Sequence, residues 1–163
     1  MTASPPIGAL RAAWQASIEA TKHWGSVGID LVEVEPLCQL LISGGRPFLD
    51  AAWTAREQRE TNRMAEGLAG KWAAKEAVMK ALGHGIGDMD PREVEIVTTP
   101  HGAPQVELHR SARAIAKRQQ IATWHLSVTH EGGWAAAIAI ASLQPRLDLV
   151  DPANSANEGR NLG

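Results

Sequence analysis

Four short stretches of this chain hold residue types that can do chemistry. Asp30 sits inside the apolar run Val27-Gly28-Ile29-Asp30-Leu31-Val32. A carboxylate there needs a partner, because burying it alone is costly. Taken by itself, it reads most simply as a strand aspartate satisfied by backbone amides or an arginine. The stretch Lys71-Trp72-Ala73-Ala74-Lys75-Glu76-Ala77-Val78-Met79-Lys80 has helical character, so Trp72, Glu76 and Lys80 stack one above another. An ordinary exposed Glu–Lys pair contributes only about 0.3–0.5 kcal/mol. Here alanines surround Glu76 and leave room for a ligand or another backbone. Gly83-His84-Gly85-Ile86-Gly87 follows directly. Glycines let backbone amides approach phosphate oxygens. This run closes a helix rather than opening one, however, and Gly83 suits a left-handed C-terminal cap. Last, His125-Leu126-Ser127-Val128-Thr129-His130 alternates, with His125, Ser127 and Thr129 on one strand face and His130 at the turn. Hydroxyls and a histidine at a strand end can bind phosphate, but in isolation an exposed polar face explains them better.

The elements that must position these groups follow from periodicity. Residues Gly8 to His23 carry Leu10, Trp14 and Ile18 at helical spacing and predict a short amphipathic helix. Trp24 to Glu35 predicts a strand, and Pro36 the first turn of a helix to Ile42. Ser43-Gly44-Gly45-Arg46-Pro47 predicts a loop. Thr54 with Glu57 three residues on is a capping box, opening a helix to about Met64. A second, alanine-rich helix runs from Leu68 to Leu82. Val94 and Ile96 mark a strand, Thr99-Pro100-His101-Gly102 a turn, and Gln105 to His109 its hairpin partner. Ser111 to Gln120 is helical, and Thr123–Thr129 and Trp134–Ala141 are strands joined by His130-Glu131-Gly132-Gly133. Hairpins and helices without strict alternation predict an α+β fold: one compact domain with an antiparallel sheet packed on helices and an extra N-terminal helix. The expected organisation is an extension over residues 1–24, a domain over 25–143 and a flexible tail over 144–163.

Composition bounds the function. The 163 residues are 44% hydrophobic and 21% charged, with a net charge of -2, which argues against a globally basic nucleic-acid binder. A single cysteine, Cys38, excludes an intrachain disulfide and fits a reducing cytoplasm. No apolar stretch nears the roughly 20 residues of a membrane span, and no secretory leader pattern is present.

Taken in order, the motifs resemble a known family. Gly28-Ile29-Asp30-Leu31-Val32-Glu33-Val34 is similar to its first motif, and Phe48 with Trp53-Thr54 and Glu57 to its second. Leu68 to Gly83 with Gly85-Ile86-Gly87 looks like its central motif. His125 to His130 with Ala135-Ala136 looks like its C-terminal strand pair. The family is the holo-acyl-carrier-protein synthases of the 4′-phosphopantetheinyl transferase superfamily, and the resemblance spans about residues 25–141.

The resemblance implies a magnesium enzyme that moves the phosphopantetheine arm of coenzyme A onto a serine of an apo acyl carrier protein, releasing 3′,5′-ADP. Asp30 and Glu76 would be the metal ligands, a donor set suited to a hard octahedral ion. Asp30, Glu76 and Lys80 would be catalytic, with Glu76 taking the serine proton directly or through a metal-bound water. Lys71, Lys80, Gly83, His84, Gly85, Ile86, Thr129 and His130 would contact coenzyme A. A homotrimer with sites between subunits is implied as well, and fatty-acid or polyketide carriers are both open.

Three departures stand out. Pro36 replaces an arginine that contacts the acidic carrier, though Arg46, Arg56 and Arg59 add charge nearby. Lys71 stands where arginine is usual, keeping the charge but not bidentate geometry. His84 replaces a small residue. Two other readings compete. A non-catalytic coenzyme A or carrier-binding module would explain Pro36 but not the intact Asp30, Glu76 and Lys80. An unrelated magnesium-dependent phosphoryl-transfer enzyme would explain the carboxylates but not four motifs in order.

Overall fold

The computed structural model describes residues 24–144. The helix expected before Gly25 and the tail expected beyond Leu143 lie outside the described residues. Chain order is β1 (Trp24–Glu33), α1 (Val34–Ala52), α2 (Ala55–Glu60), α3 (Ala65–Ala81), β2 (Val94–Thr98), β3 (Pro104–Leu108), α4 (Arg110–Arg118), β4 (Ile121–Glu131) and β5 (Trp134–Leu143). A single 3-10 turn, Pro91–Glu93, precedes β2. The strands form a three-stranded antiparallel sheet, β1-β5-β4, and a separate β2-β3 hairpin. The α+β expectation therefore holds.

α3 is the centre of the molecule. It lies across the larger sheet, and its Ala73, Ala74, Ala77 and Val78 have no exposed surface. Small residues on both sides make this close packing possible. β5 turns Ala135, Ala137, Ala139 and Ala141 toward α3. Gly28 of β1 is required there, since a Cβ on it would lie 1.9 Å from the Ala77 carbonyl oxygen. On its other flank α3 meets the β2-β3 hairpin, where Val94 and Ile96 complete the core with Met79, Leu82 and Ile115.

The opposite face of the larger sheet is uncovered among the described residues. Val27, Ile29 and Leu31 of β1 are 62%, 67% and 58% exposed. Ile29 is opposite Ile138 of β5, which is exposed too and pairs with Ser127 of β4. Alternation along these strands thus puts alanines and glycine inward and branched aliphatic residues outward.

One expected loop is a correction. Ser43 to Pro47 belongs to α1, which runs on to Ala52 with a kink at Gly45 (φ 55°, ψ -148°). Glycine tolerates that left-handed conformation. Pro47 lies just past the kink, where a new helical turn has no use for its missing N–H. β1 also ends earlier than expected, at Glu33, and α2 stops at Glu60 rather than near Met64.

Candidate active site

β1 and α3 meet where Gly28 lies against Ala77, and this contact positions Asp30 beside the last turns of α3. Lys80 Nζ donates to Asp30 Oδ1 at 2.6 Å and to the Ile29 carbonyl at 3.2 Å. Asp30 keeps only 10% of its side chain exposed, against 49% for Lys80. The bond to Asp30 raises the pKa of Lys80 above its ordinary value. Glu76 lies one turn earlier on the same helix face. Burial pushes its carboxyl above the usual glutamate range, and the Asp30 charge pushes it further; Lys80 and a hydrogen bond from Trp72 partly offset both. Trp72 in turn packs on Trp53, with ring centroids 5.4 Å apart. The structure therefore gathers Asp30, Glu76 and Lys80 into one cluster, from residues 50 positions apart in the chain.

The glycine run continues from this cluster. α3 ends in a Schellman arrangement: Gly83 N–H donates to the Lys80 carbonyl and His84 N–H to that of Met79, both at 3.0 Å. Gly83 holds the left-handed conformation (φ 79°) that this demands. The Gly85 N–H is taken by Asp88 Oδ2 at 3.1 Å, and Ile86 projects outward, 58% exposed.

Lys71 and His130 form a second cluster, on the other flank of α3. Lys71 is buried and donates to Glu60 Oε2 at 2.8 Å and to the Ile96 carbonyl at 2.6 Å. His130 Nε2 is 3.1 Å from the Glu66 carbonyl and rests on Gly70, where a Cβ would come within 2.5 Å of it. These residues line a cavity of about 240 Å³ with Gly70, Thr98, Gly102 and Pro104. Thr129 does not join them. It alternates onto the uncovered sheet face, while His130 points to α3. Thr98 and Pro104 carry no site signal in the sequence, and Gly102 marks only the end of the Thr99-Pro100-His101-Gly102 turn.

The two clusters lie at opposite edges of one sheet. Asp30 is on β1 and His130 on β4, with β5 between them; Asp30 pairs with Ala137 and His130 with Ala135.

A fully buried ion pair braces the helix between them. Lys75 Nζ and Glu57 Oε2 are 2.8 Å apart, with both side chains unexposed. Glu57 also accepts the Thr54 and Ile96 N–H groups at 2.8 Å each, so the capping-box residue ties α2, β2 and α3 together. Burial lowers the pKa of Lys75, and Glu57 opposes that. Among the described residues, Glu95, Glu107 and His109 also bring ligand-type atoms within 4.8 Å. Thr54, Arg56 and His109 already engage three of the four carboxylate oxygens, and the three residues sit on the β2-β3 hairpin and at the start of α4. Asp30 and Glu76 also bring two carboxylates near one another, close enough for the Asp30 charge to act on Glu76.

The chain is similar to known proteins over most of its length. Residues 26–139 match the family profile described as 4'-phosphopantetheinyl transferase superfamily. A holo-[acyl-carrier-protein] synthase of Alkaliphilus oremlandii is 41% identical over 118 residues, covering 71% of this chain and 96% of that protein. One from Geobacillus kaustophilus is 38% identical over 135 residues, covering 79% and 95%. Among solved structures, the Helicobacter pylori holo-[acyl-carrier-protein] synthase in complex with coenzyme A superimposes with a TM-score of 0.66 at 26% identity, covering 71% of this chain and 99% of that one. The Mycobacterium tuberculosis acyl carrier protein synthase gives 0.59 at 36% identity, covering 74% and 99%.

Proposed function

The chain belongs to the holo-[acyl-carrier-protein] synthase family of the 4′-phosphopantetheinyl transferase superfamily, and from that premise we propose a magnesium-dependent transfer carried out by Asp30, Glu76 and Lys80. Coenzyme A is the donor and the serine of an apo acyl carrier protein the acceptor. The observation that carries this reading is the convergence of two carboxylates and one ammonium at the β1–α3 contact.

The residues fit a divalent cation. A carboxylate whose proton affinity is raised by burial and by the neighbouring Asp30 charge is relieved by a positive charge, and Lys80 already supplies one. Bound between Asp30 and Glu76, magnesium would supply charge neutralisation to the coenzyme A diphosphate. The protein's own groups account for the rest. Lys80 leaves Asp30 to hold a phosphate oxygen, as a mobile point charge can. The raised proton affinity of Glu76 favours it as the general base. The serine Oγ attacks the phosphorus that bears pantetheine, its proton passes to Glu76, and the phosphoanhydride bond breaks to release 3′,5′-ADP. The buried ammonium of Lys71 and the ring of His130 bind the nucleotide's phosphate from the second cavity.

Two features support a homotrimer. The aliphatic face of the larger sheet has no cover among the described residues. The clusters at opposite edges can serve one substrate only if neighbouring copies bring them together. No described helix is long and apolar enough to cross a membrane, and we assign the enzyme to the cytoplasm, in keeping with its lone Cys38.

Carrier identity turns on α1. Pro36 and Leu40 are exposed there, Glu35 accepts from Gln39 at 2.7 Å, and Arg46 is engaged by Asp50 at 2.7 Å. That face offers little free positive charge to an acidic helix and suits a specialised carrier.

The test weighs carriers. Apo carriers of fatty-acid and polyketide type are incubated with the enzyme, coenzyme A and magnesium. A gain of one phosphopantetheine, absent with Asp30→Ala and Glu76→Ala, is expected. Coenzyme A binding without transfer to any carrier would instead establish a binding module. Equal rates on both carrier types would remove the specialised-carrier reading.

A further inference from the structure

α4 falls between the motifs on which the family resemblance rests, and its nine residues carry Arg110, Arg113, Lys117 and Arg118 but no carboxylate. The whole chain has 16 lysines and arginines and a net charge of -2, so a quarter of its positive side chains sit on this one short helix. Ala112, Ile115 and Ala116 are buried against the core, and the four cations are exposed. Arg110, Arg113 and Lys117 follow at three- and four-residue spacing and form a stripe, with Ala114 exposed among them. We propose that this stripe on α4, rather than α1, is where the chain docks an acidic helix of its carrier protein, an assignment that rests on the transferase reading above.

Three observations carry the proposal. The first is free charge. Among the described residues, none of the four cations is in an ion pair. Arg110 and Arg113 line a cavity of about 430 Å³ with Asp90, Arg92, Glu93 and His109. Both carboxylates there are committed, Asp90 to Arg92 at 2.7 Å and Glu93 to the Ser111 hydroxyl and the Ala112 N–H. On α1, by contrast, Pro36 and Leu40 are exposed and Arg46 is bound by Asp50.

The second is shape. α4 is roughly 13 Å long, a little over two helical turns. Ala114 leaves the middle of the stripe low, so a facing helix can come close while the longer stems reach past it to carboxylates.

The third is reach. Gln119, next after the last cation, donates through Nε2 to the Leu82 carbonyl at 2.9 Å, and Leu82 closes the helix that carries Lys80. A partner lying along α4 therefore ends beside the Asp30, Glu76 and Lys80 cluster, where its serine must arrive.

The experiment is steady-state transfer by the full chain, with magnesium, coenzyme A and apo carriers of fatty-acid and polyketide type. Arg113→Glu combined with Lys117→Glu reverses the stripe at two exposed positions. It raises the carrier KM about tenfold and leaves kcat and the coenzyme A KM within about twofold. Added salt raises the wild-type carrier KM and changes that of the variant little. Arg113→Gln combined with Lys117→Gln removes the charge without reversing it and raises the carrier KM about threefold; it decides the matter if the glutamate variant does not fold. An unchanged carrier KM, or an equal rise in both KM values, overturns the docking face and leaves the transferase reading standing. Binding of the wild type to phosphatidylglycerol vesicles, lost in a variant whose carrier KM is unchanged, overturns it too and gives the stripe to a membrane surface. Failure of the wild-type chain to modify any carrier sinks the transferase reading and the docking face with it.

Discussion

Lys75 and Glu57 share one unexposed contact, and Lys75 also donates to the Pro91 and Val94 carbonyls at 2.8 and 2.7 Å. Removing one member of such a pair leaves the other charged and without water. Lys75→Met should therefore cost about 3–5 kcal/mol, read from denaturant unfolding. Glu93 gives a pH signature instead. Its carboxylate accepts from the Ser111 hydroxyl and the Ala112 N–H, capping α4. The Ser111 bond holds the Glu93 pKa below the usual glutamate range, against a smaller effect of burial. A depressed pKa stabilises the fold above the unfolded-state value of about 4.3, and that gain is lost as pH falls through the lower folded value. Glu93→Gln should flatten the acid side of a melting-temperature profile, and an unchanged acid limb would exclude the cap from acid unfolding. The Thr54–Glu57 box was legible in sequence because capping is local. The direction of Lys71 was not, since its partners lie 11 and 25 residues away.

Among the elements, α3 depends on the missing side chain of Gly28. Adding one methyl group drives the Ala77 carbonyl and Ala81 N–H away from β1. Backbone cannot rotate aside as a side chain can, so overpacking of about 1–3 kcal/mol or more is expected from Gly28→Ala. The same shift separates Asp30 from Glu76, so transfer activity should fall even where circular dichroism shows a folded chain. Full activity in a folded Gly28→Ala enzyme would show that the β1–α3 spacing does not set the cluster. Alternation in β4 and β5, and the alanine spacing of α3, revealed these elements in sequence. The Gly44-Gly45-Arg46-Pro47 string misled because turn residues also build a helix kink. Burial of Leu37 and Leu49 on either side of it holds α1 against α3.

For the molecule as a whole, the proposed trimer would rest on the sheet face left open among the described residues. Ile29→Lys places an ammonium amid Val27, Leu31 and Ile138 without touching the core. Sedimentation should show monomers in place of trimers, with near-native secondary structure and little transferase activity. A trimeric Ile29→Lys enzyme would exclude this face as the contact. The face itself was legible only in part. Alternation announced a two-sided strand, but outward isoleucines and inward alanines invert the usual pattern, and only the depth of α3 explains the inversion.

The separation of Asp30 and His130 to opposite edges of one sheet has a genetic consequence. If each working centre draws one edge from each of two chains, a defect in one edge spares the other. A chain with Glu76→Ala and a chain with His130→Ala would each be inactive alone, yet a mixed assembly contains junctions that join the sound edge of one to the sound edge of the other. Two null alleles of this single gene should therefore rescue each other when co-expressed, whereas a chain carrying both substitutions should rescue neither. Transfer measured in the co-expressed pair, against the two single variants and the double, decides the point.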